Sequence, residues 1–157
     1  VEVRPGLRLA LCGGHEVERY RDQMPDSMVL LDVPAGKEVA HEMLPYADEV
    51  YLVAKESRIA LSELAVDLQV ITSVMSSGAE NLALRGLLVT ESDRTLKAFE
   101  RLLVLAERAF PVEVLPYCVP RVRAAGQPGQ LVVEAVPGGR RARAYVEIAK
   151  EVLGNGR

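Results

Sequence analysis

Ser27-Met28-Val29-Leu30-Leu31-Asp32-Val33-Pro34-Ala35-Gly36 is the stretch on which the fold reading turns. Its apolar residues are consecutive rather than alternate. That pattern suits a strand covered on both faces, as the strands of parallel sheets are. The run closes on one carboxylate, Asp32, and then breaks at Pro34-Ala35-Gly36. A parallel sheet brings an acid to its ligand edge in this way, because ligands of open α/β sheets bind beyond the carboxyl ends of the strands. A strand-end Asp before a Pro is also a common turn initiator that bonds nearby backbone amides. Local sequence leaves both readings open.

Outward from this stretch the chain alternates between strand and helix patterns. Strands are predicted over residues 7–12, 27–33, 49–54, 82–90 and 112–119, and a short extended piece over 131–136. Helices are predicted over 15–24, 38–46, 59–76, 93–110 and 140–153. The long helix 59–76 carries Leu61, Leu64, Leu68, Ile71 and Met75 on one face, a helical stripe. In the last helix the inward set is Tyr145, Ile148, Ala149 and Val152. Apolar strands separated by amphipathic helices predict an α/β fold, a doubly wound parallel sheet of about five strands flanked by helices on both faces. The pattern contains no internal repeat, low-complexity tract or linker, so a single domain spanning 1–157 is expected.

Composition agrees with a globular chain that has a real core. The 157 residues are 49% hydrophobic and 26% charged, with net charge −3. That balance does not announce nucleic-acid binding for the chain as a whole, so only local basic clusters could provide it. Two cysteines, Cys12 and Cys118, make no disulfide framework and fit a reducing cytoplasm, the expected location. No apolar stretch approaches the ~20 residues that span a bilayer, and no signal segment opens the chain. Val1 stands where an initiator Met would, which leaves a fragment, a processed product and a trimmed chain all open.

In P-loop NTPases an acid placed like Asp32 helps to hold Mg²⁺ or its water. The usual partner of that acid, G-x-x-x-x-G-K-[ST], occurs nowhere in the sequence. Five segments nevertheless follow one another in order: LLDVPAG, ADEVYLVAKESRIAL, LRGLLVTESDRT, YCVPRVRAAGQPGQ and RARAYVEIAKEVL. Together they resemble the ParA/MinD family of deviant-Walker partition and positioning ATPases, from Leu7 to Leu153. The match is to the C-terminal half to two-thirds of a family member. D-x-P-A-G is closer to the MinD side, whereas V-T-x-x-D-R-T and V-P-x-x-x-x-A-x-x-G are closer to ParA.

The resemblance implies a P-loop NTPase-like fold, incomplete in this chain, with ATP and Mg²⁺ as cofactors. It implies Asp32 as the catalytic, Mg²⁺-side acid and Pro34-Ala35-Gly36 as the turn that senses the γ-phosphate. Thr90 would sit near the adenine, and the loop opened by Pro120 and Arg121 would close over the base. The departure is large. The K-G-G-x-G-K-[ST] loop, the first strand and the acid ending the next strand are all absent from this sequence.

Gly13-Gly14 is a poor substitute for that loop, because it has neither a Lys for phosphate nor a Ser or Thr for Mg²⁺. A lone glycine pair is a weak signal, and a structural junction is the better reading. Cys12 and His15 form a C-x-x-H pair, but a zinc site needs three or four ligands. His41 is expected on a solvent-facing helix turn, and no G-x-S-x-G elbow supports other hydrolase chemistry.

Arg121 and Arg123 follow a strand, while Arg140, Arg141 and Arg143 open the last helix. Cations are mildly unfavourable at a helix N-terminus, so an anionic partner would explain them. ParA-type proteins bind DNA non-specifically near their C-terminal helices, and the resemblance implies the same role for Arg123, Arg140, Arg141 and Arg143. A solvated face balanced by Glu134, Glu147 and Glu151 is the competing explanation. Two functional readings stand. One is the C-terminal part of a ParA/MinD-type ATPase that self-associates with nucleotide and positions DNA or a protein cargo, as in chromosome or plasmid segregation. The other is a degenerate relative that keeps the fold as a binding or scaffold protein, hydrolyses nothing and uses no cofactor.

Overall fold

A computed structural model describes residues 2–4, 7–8, 13–23, 27–34, 37–55, 58–79, 81–92, 104, 113–121 and 131–155. The chain divides into two compact units. One comprises Val1–Val50 with Asp67–Ala83, the other Tyr51–Val66 with Leu84–Arg157.

The first unit opens with β1 (Glu2–Arg4) paired antiparallel to β2 (Leu7–Arg8). Residues 9–12, the remainder of the first predicted strand, lie outside the described residues. Helix α1 (Gly14–Gln23) begins at a capping arrangement. The Glu16 amide donates to the Gly13 carbonyl at 3.0 Å, and the Gly13 amide donates to Glu16 Oε2 at 3.1 Å. This satisfies a helix-end donor that would otherwise be orphaned. At Gly14 a side chain is excluded, since a Cβ would lie 2.7 Å from both the Glu42 carbonyl oxygen and the Tyr46 ring. Helix α2 (Lys37–Met43) runs into a 3₁₀ turn, Leu44–Tyr46. From the last turn of α1, Arg21 donates to the Tyr46 carbonyl and pairs with Asp48, each at 3.2 Å. The buried apolar side chains of this unit include Val17, Met43, Leu44, Val70, Ile71, Val74 and Leu82.

The strand predicted over residues 27–33 does not form. Residues 28–34 have no regular secondary structure, and Met28 and Leu30 are 50% and 76% exposed. Val29, Leu31 and Val33 are half-buried between exposed neighbours, so the stretch keeps a strand's two-sided alternation of side chains. It lacks a strand's ladder. A strand persists only where a neighbour completes its N–H and C=O pairing, and no described strand pairs with this one.

The main sheet has the order β3-β4-β5, with β3 Glu49–Lys55, β4 Ala83–Ser92 and β5 Val114–Pro120. Between β3 and β4 runs α3 (Arg58–Ser76). At the strand starts the Ala83 amide donates to the Asp48 carbonyl at 2.9 Å. At their ends Thr90 Oγ1 donates to the Ala54 carbonyl at 3.3 Å, so β3 and β4 run the same way. The pairing of β4 with β5 is also parallel. The fold is therefore α/β with a parallel sheet flanked by helices, but it has three such strands among the described residues rather than about five. The difference arises from the stretch 27–33 and from the N-terminal segment, whose described part pairs antiparallel.

Buried residues of the second unit include Leu52, Ala54, Leu64, Leu87, Val89, Val114, Leu115, Val119 and Ala142. In β4 the backbone at Gly86 passes so close to β5 that a Cβ would meet the Glu113 carbonyl oxygen at 3.0 Å and Leu115 at 3.2 Å. The same Glu113 carbonyl accepts the Leu87 amide at 2.8 Å.

Residues 131–136, predicted as extended, instead hold the short helix α4 (Val132–Ala135). The β-branched valines suggested a strand. The amides of Glu134 and Ala135 both turn back to the Leu131 carbonyl, at 3.0 and 2.9 Å, and α4 packs on the following helix. That helix, α5 (Arg140–Asn155), packs against β5. Ile148 and Val152 are half-buried as expected, whereas Tyr145 is 41% exposed and Ala149 is exposed. Of the helix predicted over 93–110 only Val104 is described, helical and 46% exposed.

Candidate functional site: the carboxyl edge of the sheet

Because β3, β4 and β5 are parallel, their carboxyl ends share one edge. Lys55 ends β3, Thr90-Glu91-Ser92 ends β4, and Pro120 ends β5 with Arg121 just beyond. Open α/β sheets bind ligands at this edge. The register sets Thr90 beside Val119 and Ser92 beside Pro120. Two steps along β4 thus match one step along β5, and Glu91 is the extra residue of a bulge. Its φ is +54°, the only positive φ on a non-glycine among the described residues. Bulges of this kind re-aim a side chain, and they occur often beside active sites.

Glu91 Oε1 meets Lys55 Nζ at 3.2 Å, with the side chains 43% and 68% exposed respectively. Thr90 is half-buried, and its hydroxyl is committed to the Ala54 carbonyl. Pro120 is half-buried and Arg121 exposed. Three residues predicted for nucleotide contact, Thr90, Pro120 and Arg121, are therefore gathered on neighbouring strand ends. Lys55 and Glu91 are also expected at this edge from their places after strands, although the resemblance implies no nucleotide role for either. Their sequence signal is only that each stands at the end of an apolar run, Glu91 one residue further on after Thr90; the left-handed backbone and the pairing are not legible.

Asp32 belongs to the first unit, exposed on the stretch that forms no strand, and Pro34 is exposed. Ala35, Gly36 and Arg123 fall outside the described residues. The Gly13 and Gly14 amides, the weak candidate for an anion site, donate to carboxylates of the same unit, Glu16 Oε2 and Glu42 Oε1, each at 3.1 Å. His41 is exposed on α2, Cys118 is half-buried in β5, and Cys12 lies outside the described residues.

Arg140, Arg141 and Arg143 form the first turn of α5. Arg140 and Arg143 are exposed, and Arg141 is half-buried with its Nε shielded from solvent and without a hydrogen-bond partner. Among the described residues no three His, Cys, Asp or Glu side chains gather as metal ligands. No helix among them is long and apolar enough to cross a membrane. No family model matches the chain, and no curated protein matches it.

Proposed function

We propose that this chain carries the C-terminal portion of a ParA/MinD-like ATPase, which positions DNA or a protein cargo through nucleotide-dependent dimerisation. The observation supporting it is the carboxyl edge, where Thr90 and Pro120 lie in the last residues of neighbouring parallel strands and Arg121 follows just beyond. In this reading Thr90, Pro120 and Arg121 surround the adenine, and Asp32 is the acid on the Mg²⁺ side. Pro34, Ala35 and Gly36 follow Asp32 as the turn that responds to the γ-phosphate. Phosphates and Mg²⁺ depend chiefly on a K-G-G-x-G-K-[ST] loop, which this sequence does not contain. On its own this chain is then inactive in hydrolysis and binds nucleotide feebly. Tight, Mg²⁺-dependent ATP binding by calorimetry overturns that statement. A phosphate loop encoded directly upstream of Val1 supports the reading, and a start codon close by removes it.

The arginines Arg123, Arg140, Arg141 and Arg143 contact DNA phosphates in this proposal. Replacing Arg140, Arg141 and Arg143 together by Ala weakens DNA binding and flattens its salt dependence. Unchanged binding removes them as the contact.

A second reading, a non-hydrolysing ParA-like scaffold, is favoured by one observation: Asp32 stands on an exposed stretch outside the sheet. An acid that serves a phosphate is usually held on a rigid strand end. The two readings separate on the upstream reading frame.

A further inference from the structure

We propose that Lys55 is an anion-binding residue of the carboxyl edge and that Glu91 is its built-in competitor, occupying the ammonium until a phosphate-bearing ligand displaces it. The inference rests on the strand ends alone and stands whether or not the ATPase reading does.

The argument begins with strain that stability does not explain. An L residue at φ +54° crowds its Cβ against the backbone, and such residues persist only where the surrounding structure imposes them. Glycine is the residue that fits this conformation, yet the chain has Glu here. A link between two exposed charges is weak recompense. Ordinary extended backbone also lets side chains on adjacent strands meet, so the bulge is not needed merely to join β3 to β4.

What the bulge does achieve is specific. It adds one residue at the carboxyl end of β4, and that residue's carboxylate lies 3.2 Å from the ammonium ending β3. Both side chains remain open to solvent, at 68% and 43% exposure, so an incoming anion can reach Lys55. The edge is also the one at which open parallel sheets bind ligands. A carboxylate on Lys55 is the protein's own stand-in for a ligand oxyanion. It neutralises the cation when the site is empty and must be displaced on binding, which sets a threshold on affinity.

The test is an amide NMR titration of the whole chain with sodium pyrophosphate at matched ionic strength. Saturable shifts are expected at the Lys55 amide and across Thr90–Ser92. Glu91→Gln should tighten binding about fivefold, the scale of one exposed ion pair. Lys55→Ala should abolish the response at these amides, and Lys55→Arg should retain it. Equal affinity in the wild type and Glu91→Gln overturns the proposal, as do shifts at Thr90–Ser92 that survive in Lys55→Ala. Thermal melts of each variant confirm that the fold persists. ATP and adenosine form the second arm. Lys55 shifts with ATP but not adenosine assign a nucleotide's phosphates to the site, and shifts with pyrophosphate alone assign a free phosphoanion. Silence from both ligands overturns the proposal.

Discussion

Strand β4 and residues 27–33 start from similar sequence and end differently. Each is an apolar run closed by polar residues, Leu87-Leu88-Val89-Thr90-Glu91 in one and Met28-Val29-Leu30-Leu31-Asp32 in the other. β4 lies between β3 and β5, and Leu87 and Val89 are 3% and 1% exposed. The stretch at 27–33 has no described strand pairing with it, and Leu30 is 76% exposed. An apolar run becomes a strand through its neighbours. The backbone groups need partners as much as the side chains need cover.

The comparison can be broken most sharply by truncating matched leucines. Leu87→Ala should cost about 2–5 kcal/mol in urea unfolding, the range for a buried leucine. Leu30→Ala should stay within about 0.5 kcal/mol, as for an exposed site. A large loss at Leu30 would mean that the stretch packs against something in solution. Gly86→Ala sharpens the β4 side. The new Cβ presses on the carbonyl that accepts the Leu87 amide and on Leu115. A loss of about 1–3 kcal/mol is expected, as for an overpacked core, measured by the same denaturation.

A smaller effect of opposite sign is expected at the end of β4. Glu91→Gly relieves the left-handed strain but loses one exposed ion pair and gives the unfolded chain more freedom, for a net gain of at most about 1 kcal/mol. A melting temperature that falls instead would mean that the Lys55 link outweighs the strain. Smallest of all, Asp32→Asn should leave stability within about 0.5 kcal/mol, because its carboxylate is exposed.

Much of the architecture was legible. The strands expected at 49–54, 82–90 and 112–119 are β3, β4 and β5 within a residue or two, and α3 begins one residue before the predicted 59. These elements have strong periodicity and clear breaks on either side. Residues 131–136 read as extended because their three valines favour that backbone locally, whereas a turn of hydrogen bonds and packing on α5 make α4 there. Tyr145 was assigned inward by helical spacing, yet its exposure depends on which elements cover that face of α5. At the candidate site, Thr90, Pro120 and Arg121 could be found from their positions just after apolar runs. The place of Glu91 after the same run was equally legible, but its positive φ and its pairing with Lys55 were not, since both arise from neighbouring strands.

By itself, then, the sequence determined the alternation of apolar strands and amphipathic helices, and with it an α/β chain with a parallel sheet. Those features reside in local periodicity and turn residues. The tertiary structure alone decided how many apolar runs became strands, which charged residues met at the carboxyl edge, and where the backbone was strained. Each of these depends on the ladder partner that a segment finds, and residues far apart in the chain supply that partner.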